Sequence, residues 1–273
     1  MVQYFHGSDG TRLAFQVQGS GRPLLCLSGL TRTMADFDHV LPHLAGLQVI
    51  RMDYRGRGAS DWADPATYTI VQEAEDALAL LDHLGIASTA ILGTSRGGLV
   101  ALVLGHLARA RLTGVFFNDI GPVIERPGLE RIARYVGVTP VERTLQDHAE
   151  GLARSPGFAN VPAERWLAEA QARVRVTADG LRLNYDPALR QGFVAALNAP
   201  VTDLWPLFDA LTDLPLAAIR GENSDLIAAA TLTAMQRRRP DLIAATVPDR
   251  GHVPFLDEAE SLAALSRFAK ALP

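Results

Sequence analysis

Cysteine is almost absent. Cys26 is the only one among 273 residues, which excludes an internal disulfide and a metal site built from several thiolates. Within the apolar stretch PLLCL it reads as an ordinary buried thiol rather than a nucleophile. Long hydrophobic runs are missing as well. No stretch approaches the roughly 20 apolar residues that cross a bilayer, and the opening MVQYFHGSDGTR lacks the basic region and apolar core of a secretion signal. A cytoplasmic protein without a membrane span is expected. Nor is there an excess of positive charge: 26 basic residues stand against 30 acidic ones, for a net charge of −4. Without a basic stripe to neutralise phosphates, nucleic acid is excluded as a partner. Repeats, low-complexity tracts and flexible linkers are also lacking, which leaves one compact domain with an elaboration. Such a chain suits a small-molecule substrate, needs no cofactor and works as a monomer or homodimer.

What is present is an alternation of short apolar segments with longer helix-period ones. PLLCL (23–27), QVIRMD (48–53), TAILG (89–93), GVFFND (114–119), PLAAIRG (215–221) and IAATV (243–247) read as strands. TIVQEAEDALALLDHLG (69–85) has apolar residues at helical spacing and ends on a glycine suited to a left-handed cap. VQYFH and RLAFQVQG, joined through GSDGT, predict an antiparallel hairpin at the start. The pattern is that of a mostly parallel sheet with helices on both faces. It breaks between residues 123 and 198, where GLERIARYVG, PVERTLQDHAEGLAR and PAERWLAEAQARV are helical in period and no core strand stands out. This region is expected to be a helical cap (123–198) inserted into a core made of 1–122 and 199–273.

The segment AILGTSRGGLVAL places Ser95 on a tight turn between a strand and a helix. Small neighbours at Gly93 and Gly97 remove clashes and hold the hydroxyl above the sheet. The bland reading is a plain turn, but the flanking strand and helix favour a nucleophile elbow. Here the chain resembles the α/β-hydrolase superfamily, as a capped serine hydrolase with a Ser-Asp-His triad. The Gly-x-Ser-x-Gly signature of that superfamily stands as Gly93-Thr94-Ser95-Arg96-Gly97. The resemblance implies an eight-stranded, mostly parallel α/β-hydrolase sheet and an acid and a histidine downstream of the serine.

A serine hydroxyl needs a base, and the base needs an orienting carboxylate. His252 in DRGHVPFLDEAE lies where the superfamily carries its base. His83 and His106 fall within helices, His6 in the hairpin and His148 in the cap. His39 and His43 have the spacing of a metal pair, yet Pro42 intervenes and no third ligand is evident, so no metal is assigned. Asp225 in RGENSDLI is the expected acid, with Asp119 at the end of GVFFND and Glu222 as rivals. The oxyanion donors implied are the backbone N–H groups of Leu30, in Ser28-Gly29-Leu30 where relatives often have His-Gly-x, and of Arg96. Gly29 and Arg32 are the candidate substrate-contacting residues. Arg32 and Arg96 are expected either to bind a substrate carboxylate or carbonyl, or to pair with a cap carboxylate such as Glu125 or Asp186. DYRGRGASD (53–61) also matches the superfamily and reads as a structural turn, since it has neither phosphate-loop nor dinucleotide spacing.

Relatives that open haloalkanes or epoxides use aspartate at the elbow, so Ser95 points to acyl chemistry. The expected function is hydrolysis of an ester, lactone or related acyl bond through an acyl-enzyme. Two alternatives stand beside it: C–C bond hydrolysis of a ring-fission diketo acid, and a non-enzymatic small-molecule receptor on the same fold.

Overall fold

The structure is a computed structural model that describes residues 1–273. A hairpin of β1 (Gln3–His6) and β2 (Arg12–Gln18) leads into β3 (Arg22–Leu27) and β4 (Leu47–Met52). Then follow α1 (Ile70–His83), β5 (Thr89–Thr94), α2 (Arg96–Leu107) and β6 (Leu112–Asn118). The chain leaves the sheet for α3 (Arg126–Tyr135), α4 (Leu145–Ala153), α5 (Ala163–Arg173), β7 (Val174–Thr177), β8 (Gly180–Leu183) and α6 (Leu189–Asn198). It returns through α7 (Trp205–Asp209), β9 (Leu216–Gly221), α8 (Ala229–Arg238), β10 (Ile243–Val247) and α9 (Ala259–Ala271). Eight strands form one sheet in the order β1-β2-β4-β3-β5-β6-β9-β10. The pairs β1·β2 and β2·β4 are antiparallel and the remaining pairs are parallel.

The predicted strands are buried on both sides because helices cover both faces, and alternate residues divide between two cores. Leu25, Leu27 and Ile91 join one cluster with Ala74, Leu80, Val100 and Met235 of α1, α2 and α8. Leu24, Cys26, Ala90 and Leu92 join the other with Ala264, Leu265 and Phe268 of α9. That period-two division is what makes each strand read as a continuous apolar run. Helix α1 is bounded as its sequence predicts. The Thr69 hydroxyl accepts from the Gln72 N–H at 3.1 Å, and Gly85 turns the chain out at φ 65°.

The segment between β6 and α7 carries the predicted helices, with one difference. VRVTADGLRL is an antiparallel hairpin, β7 and β8, forming a sheet of its own. Only Val174 and Leu181 are buried in it, so its alternation is too short and too exposed to register as a core strand. The end of this segment is tied to the DYRGRGASD turn: Gly58 N–H donates to the Asn184 carbonyl at 2.9 Å and Asp186 N–H to the Gly56 carbonyl at 2.8 Å. Helix α7 rejoins the core, where Phe208 packs against Phe117. No helix is long and apolar enough to cross a membrane.

Candidate active site

Ser95 sits between β5 and α2 at φ 52° and ψ −115°, a conformation few side-chain-bearing residues adopt. Its neighbours have to be small. A β-carbon on Gly93 would lie 2.7 Å from the Gly97 carbonyl and the Gly98 nitrogen, and one on Gly97 would overlap the Leu27 carbonyl. The start of α2 therefore packs directly on the end of β3, and the Ser95 N–H donates to the Asn118 carbonyl at 3.0 Å. Ser95 Oγ lies 2.8 Å from His252 Nε2, and His252 Nδ1 lies 2.6 Å from Asp119 Oδ2. A carboxylate only accepts, so Nδ1–H donates to Asp119 and Nε2 is left to accept from the serine. The loop carrying His252 is held by Asn118, whose Nδ2 donates to the Pro254 carbonyl and to Thr94 Oγ1.

Asp119, not Asp225, meets the histidine. Strand β6 ends at Asn118, and Asp119 turns away from it at φ 55°, a left-handed conformation aspartate tolerates. Its fully buried carboxylate accepts three bonds: from the Gly221 N–H at 2.8 Å, from the Ser224 hydroxyl at 2.6 Å and from His252. Asp225 is one residue too far along. The tight turn closed by Ser224 N–H onto the Gly221 carbonyl aims Ser224 inward and Asp225 out. There Arg131 of α3 takes its carboxylate with Nε at 2.6 Å and Nη2 at 2.7 Å. Burial alone raises the Asp225 carboxyl, but those bonds and the arginine's charge outweigh it and hold the carboxyl below its ordinary value. Glu222 is turned to solvent and accepts from the Asp249 N–H. The clue in the sequence was the Asn-Asp pair at a strand's carboxyl end; Arg131 as the claimant of Asp225 had no signal at all.

The Ser28-Gly29-Leu30 loop lies beside the serine. A β-carbon on Gly29 would stand 3.8 Å from Ser95 Cβ, and Gly29 and Leu30 line the same cavity as Ser95. Arg96 opens α2, where the first N–H has no carbonyl one turn earlier to receive it. The DYRGRGASD turn holds the Leu30 loop. Arg57, wholly buried, donates through Nε to the Leu30 carbonyl at 3.0 Å and pairs with Glu73 at 2.8 Å. Glu73, on α1 and equally buried, also holds the Arg96 guanidinium at 2.6 Å. One carboxylate thus ties the loop of Leu30 to the helix of Arg96. This settles the Arg96 side chain: it faces Glu73 and the Tyr68 carbonyl, neither a substrate nor Glu125 or Asp186.

Arg32 does line the cavity. It pairs with Asp36 at 3.2 Å and with Glu169 of α5 at 3.1 Å, and Glu169 also accepts from Arg173 at 2.8 Å. Burial pushes Glu169 up, but the two guanidiniums more than offset it and hold the carboxyl down at about 2. Burial wins at Asp36, where Arg32 opposes it, and the carboxyl rises to about 6. The cavity above Ser95 measures about 370 Å³; Arg32, Arg131, Arg173 and His148 stand in its wall among apolar side chains such as Ile132, Leu152 and Trp166.

A nucleophile turn, a histidine and a carboxylate gathered at the carboxyl ends of β5, β6 and β10 in this sheet define a class. The chain belongs to the α/β hydrolase family, whose sequence profile matches residues 24–265, and it is a hydrolytic enzyme. It is 34% identical over 267 residues to the 3-hydroxybutyrate-oligomer hydrolase of Cupriavidus necator, covering 91% of this chain and 90% of the relative. It is 27% identical to the 2-(acetamidomethylene)succinate hydrolase of Mesorhizobium japonicum, covering 86% of this chain and 83% of the relative. A crystal structure of an α/β hydrolase from Novosphingobium aromaticivorans superposes with a TM-score of 0.93 at 39% identity, over 100% of this chain and 98% of that one. With hydrolases as relatives over nearly the whole length, the receptor reading gives way to the enzyme.

Proposed function

We propose that the chain hydrolyses an ester of a small, carboxylate-bearing substrate through an acyl-enzyme, with Ser95 as nucleophile, His252 as base and Asp119 as the acid that orients it. The hydrogen-bonded line Ser95–His252–Asp119 carries the reading. Ser95 Oγ bonds to the ester carbon as its proton passes to His252 Nε2, and the Asp119 carboxylate stabilises the imidazolium. The carbonyl oxygen, now negative, is received by the Leu30 and Arg96 N–H groups. The C–O bond then breaks, Nε2 returns the proton to the departing alkoxide, and water repeats the sequence to release the acid and free Ser95. Residues 123–198 act as a cap that closes the cavity from above. The substrate class is supported by Arg32, Arg131 and Arg173 in the cavity wall and by the substrates named for the two relatives, which carry carboxylates.

The test combines labelling with an acid swap. A fluorophosphonate should modify Ser95 stoichiometrically, and Asp119→Asn should lower turnover by about 10⁴-fold by stabilising the wrong histidine tautomer. Asp225→Asn should cost far less. The reverse ranking in folded variants would return the acid to Asp225.

A further inference from the structure

Adjoining the cavity over Ser95, and lined like it by His252, lies a second cavity of about 450 Å³. It shares the imidazole, Arg131, Pro156 and Phe158 with the cavity over Ser95, but contains neither the serine nor the Gly29-Leu30 loop. Gly157, Ala159, Asn223 and Asp225 complete its wall, which has few apolar side chains. Arg131 binds Asp225 through Nε and Nη2, which leaves Nη1 for a ligand.

The chemistry gives this arrangement a direction. In ester hydrolysis the oxygen that leaves must reach the proton on His252 Nε2, while the carbonyl oxygen turns toward the Leu30 and Arg96 amides. The acyl half therefore lies on the oxyanion-loop side, and the alcohol half is directed past the imidazole. We infer that the second cavity is the leaving-group subsite: it receives the alcohol half of the ester, and Arg131 binds the carboxylate of a hydroxy-acid leaving group. The inference rests on the ester-hydrolase reading and goes further by dividing the substrate between two compartments. Planar, permanently charged guanidinium suits a carboxylate, and Asp225 holds Arg131 in place instead of neutralising a buried partner.

Acetate release separates the possibilities, because the acyl group is then constant. The substrates are methyl acetate, 3-acetoxybutyrate and its methyl ester, with methyl hexanoate as a measure of the acyl side. In Arg131→Gln combined with Asp225→Asn, a neutral pair of similar shape, the kcat/KM preference for 3-acetoxybutyrate over its methyl ester should fall about 10-fold or more, the range of a hydrogen bond to a charged group. Ala159 is exposed and held through its backbone by the Asp249 carbonyl and the Arg250 side chain. Ala159→Trp, or the smaller Ala159→Leu if tryptophan is not tolerated, should lower the ratio of 3-acetoxybutyrate to methyl acetate and leave the ratio of methyl hexanoate to methyl acetate unchanged. Unmoved leaving-group ratios, or a shift in the acyl ratio instead, would overturn the subsite while Ser95 labelling and ester turnover persist. A wild-type protein that neither labels nor turns over any ester would overturn both readings.

Discussion

Asp36 is a buried carboxyl whose charge can change within the working pH range. It and Glu169 balance Arg32 and Arg173 beside the cavity over Ser95, so the four are neutral together when all are ionised. Burial raises Asp36 to about 6, so the cluster gains one net positive charge as pH falls through that value. A carboxylate on the acyl half should then bind better. The kcat/KM ratio of monomethyl succinate to methyl butyrate is expected to rise between pH 7.5 and 5.5, the reaction steps common to both substrates cancelling in the ratio. His148 also faces Arg173 from α4, and burial lowers its pKa; the two contributions are separated by Asp36→Asn, which should give the high ratio at every pH in this window. A ratio that still follows pH in that variant would assign the effect to His148. Arg96→Ala should leave the ratio where it is, since that guanidinium faces Glu73.

Helix α1 shows how an element read correctly in outline conceals its function. Its apolar spacing, Thr69 cap and Gly85 exit were legible, and the observed Ile70–His83 lies within the predicted span. The face it buries, however, includes Glu73 and Asp76 beside Ala74, Ala77 and Leu80. Periodicity assigns charged residues to solvent, because a buried charge without a partner is costly. Here the partners come from other elements: Arg57 and Arg96 for Glu73, and Arg55 for Asp76. Glu73→Ala would strand two guanidiniums, one wholly buried, and is expected to cost about 3–5 kcal/mol. Urea denaturation measures this as a lower midpoint at unchanged slope. Turnover should fall as well, because the Leu30 loop and the first turn of α2 lose their common anchor. A loss under about 1 kcal/mol would mean that the pair is solvated in the folded protein.

The whole molecule keeps its single thiol out of reach. Cys26 lies in β3, near the middle of the sheet, is inaccessible to solvent, and burial pushes its thiol up to about 12. With no second cysteine to complicate the readout, its alkylation at pH 8 should report opening of the sheet, running about 10³-fold or more slower in native buffer than in urea, as expected for a domain of ordinary stability. Fast labelling of the native protein would show that β3 is locally exposed. The same strand marks the boundary between what the two levels determine. By itself the sequence determined which segments form the core strands, the strand-turn-helix setting of Ser95 and the α/β-hydrolase fold, because these rest on period-two burial and on glycines required by one turn. It favoured Asp225 over Asp119 as the carboxylate facing His252, left open which arginine would face the cavity, and did not show that a hairpin would lie among the inserted helices. Tertiary structure decided those points, because each depends on partners far apart in the chain: Asp119 and Asp225 differ in being claimed by His252 and by Arg131, and Arg32 and Arg96 in being claimed by Glu169 and by Glu73. Local spacing carries no information about pairings made across the fold, and the energy of a buried charge is set by its partner.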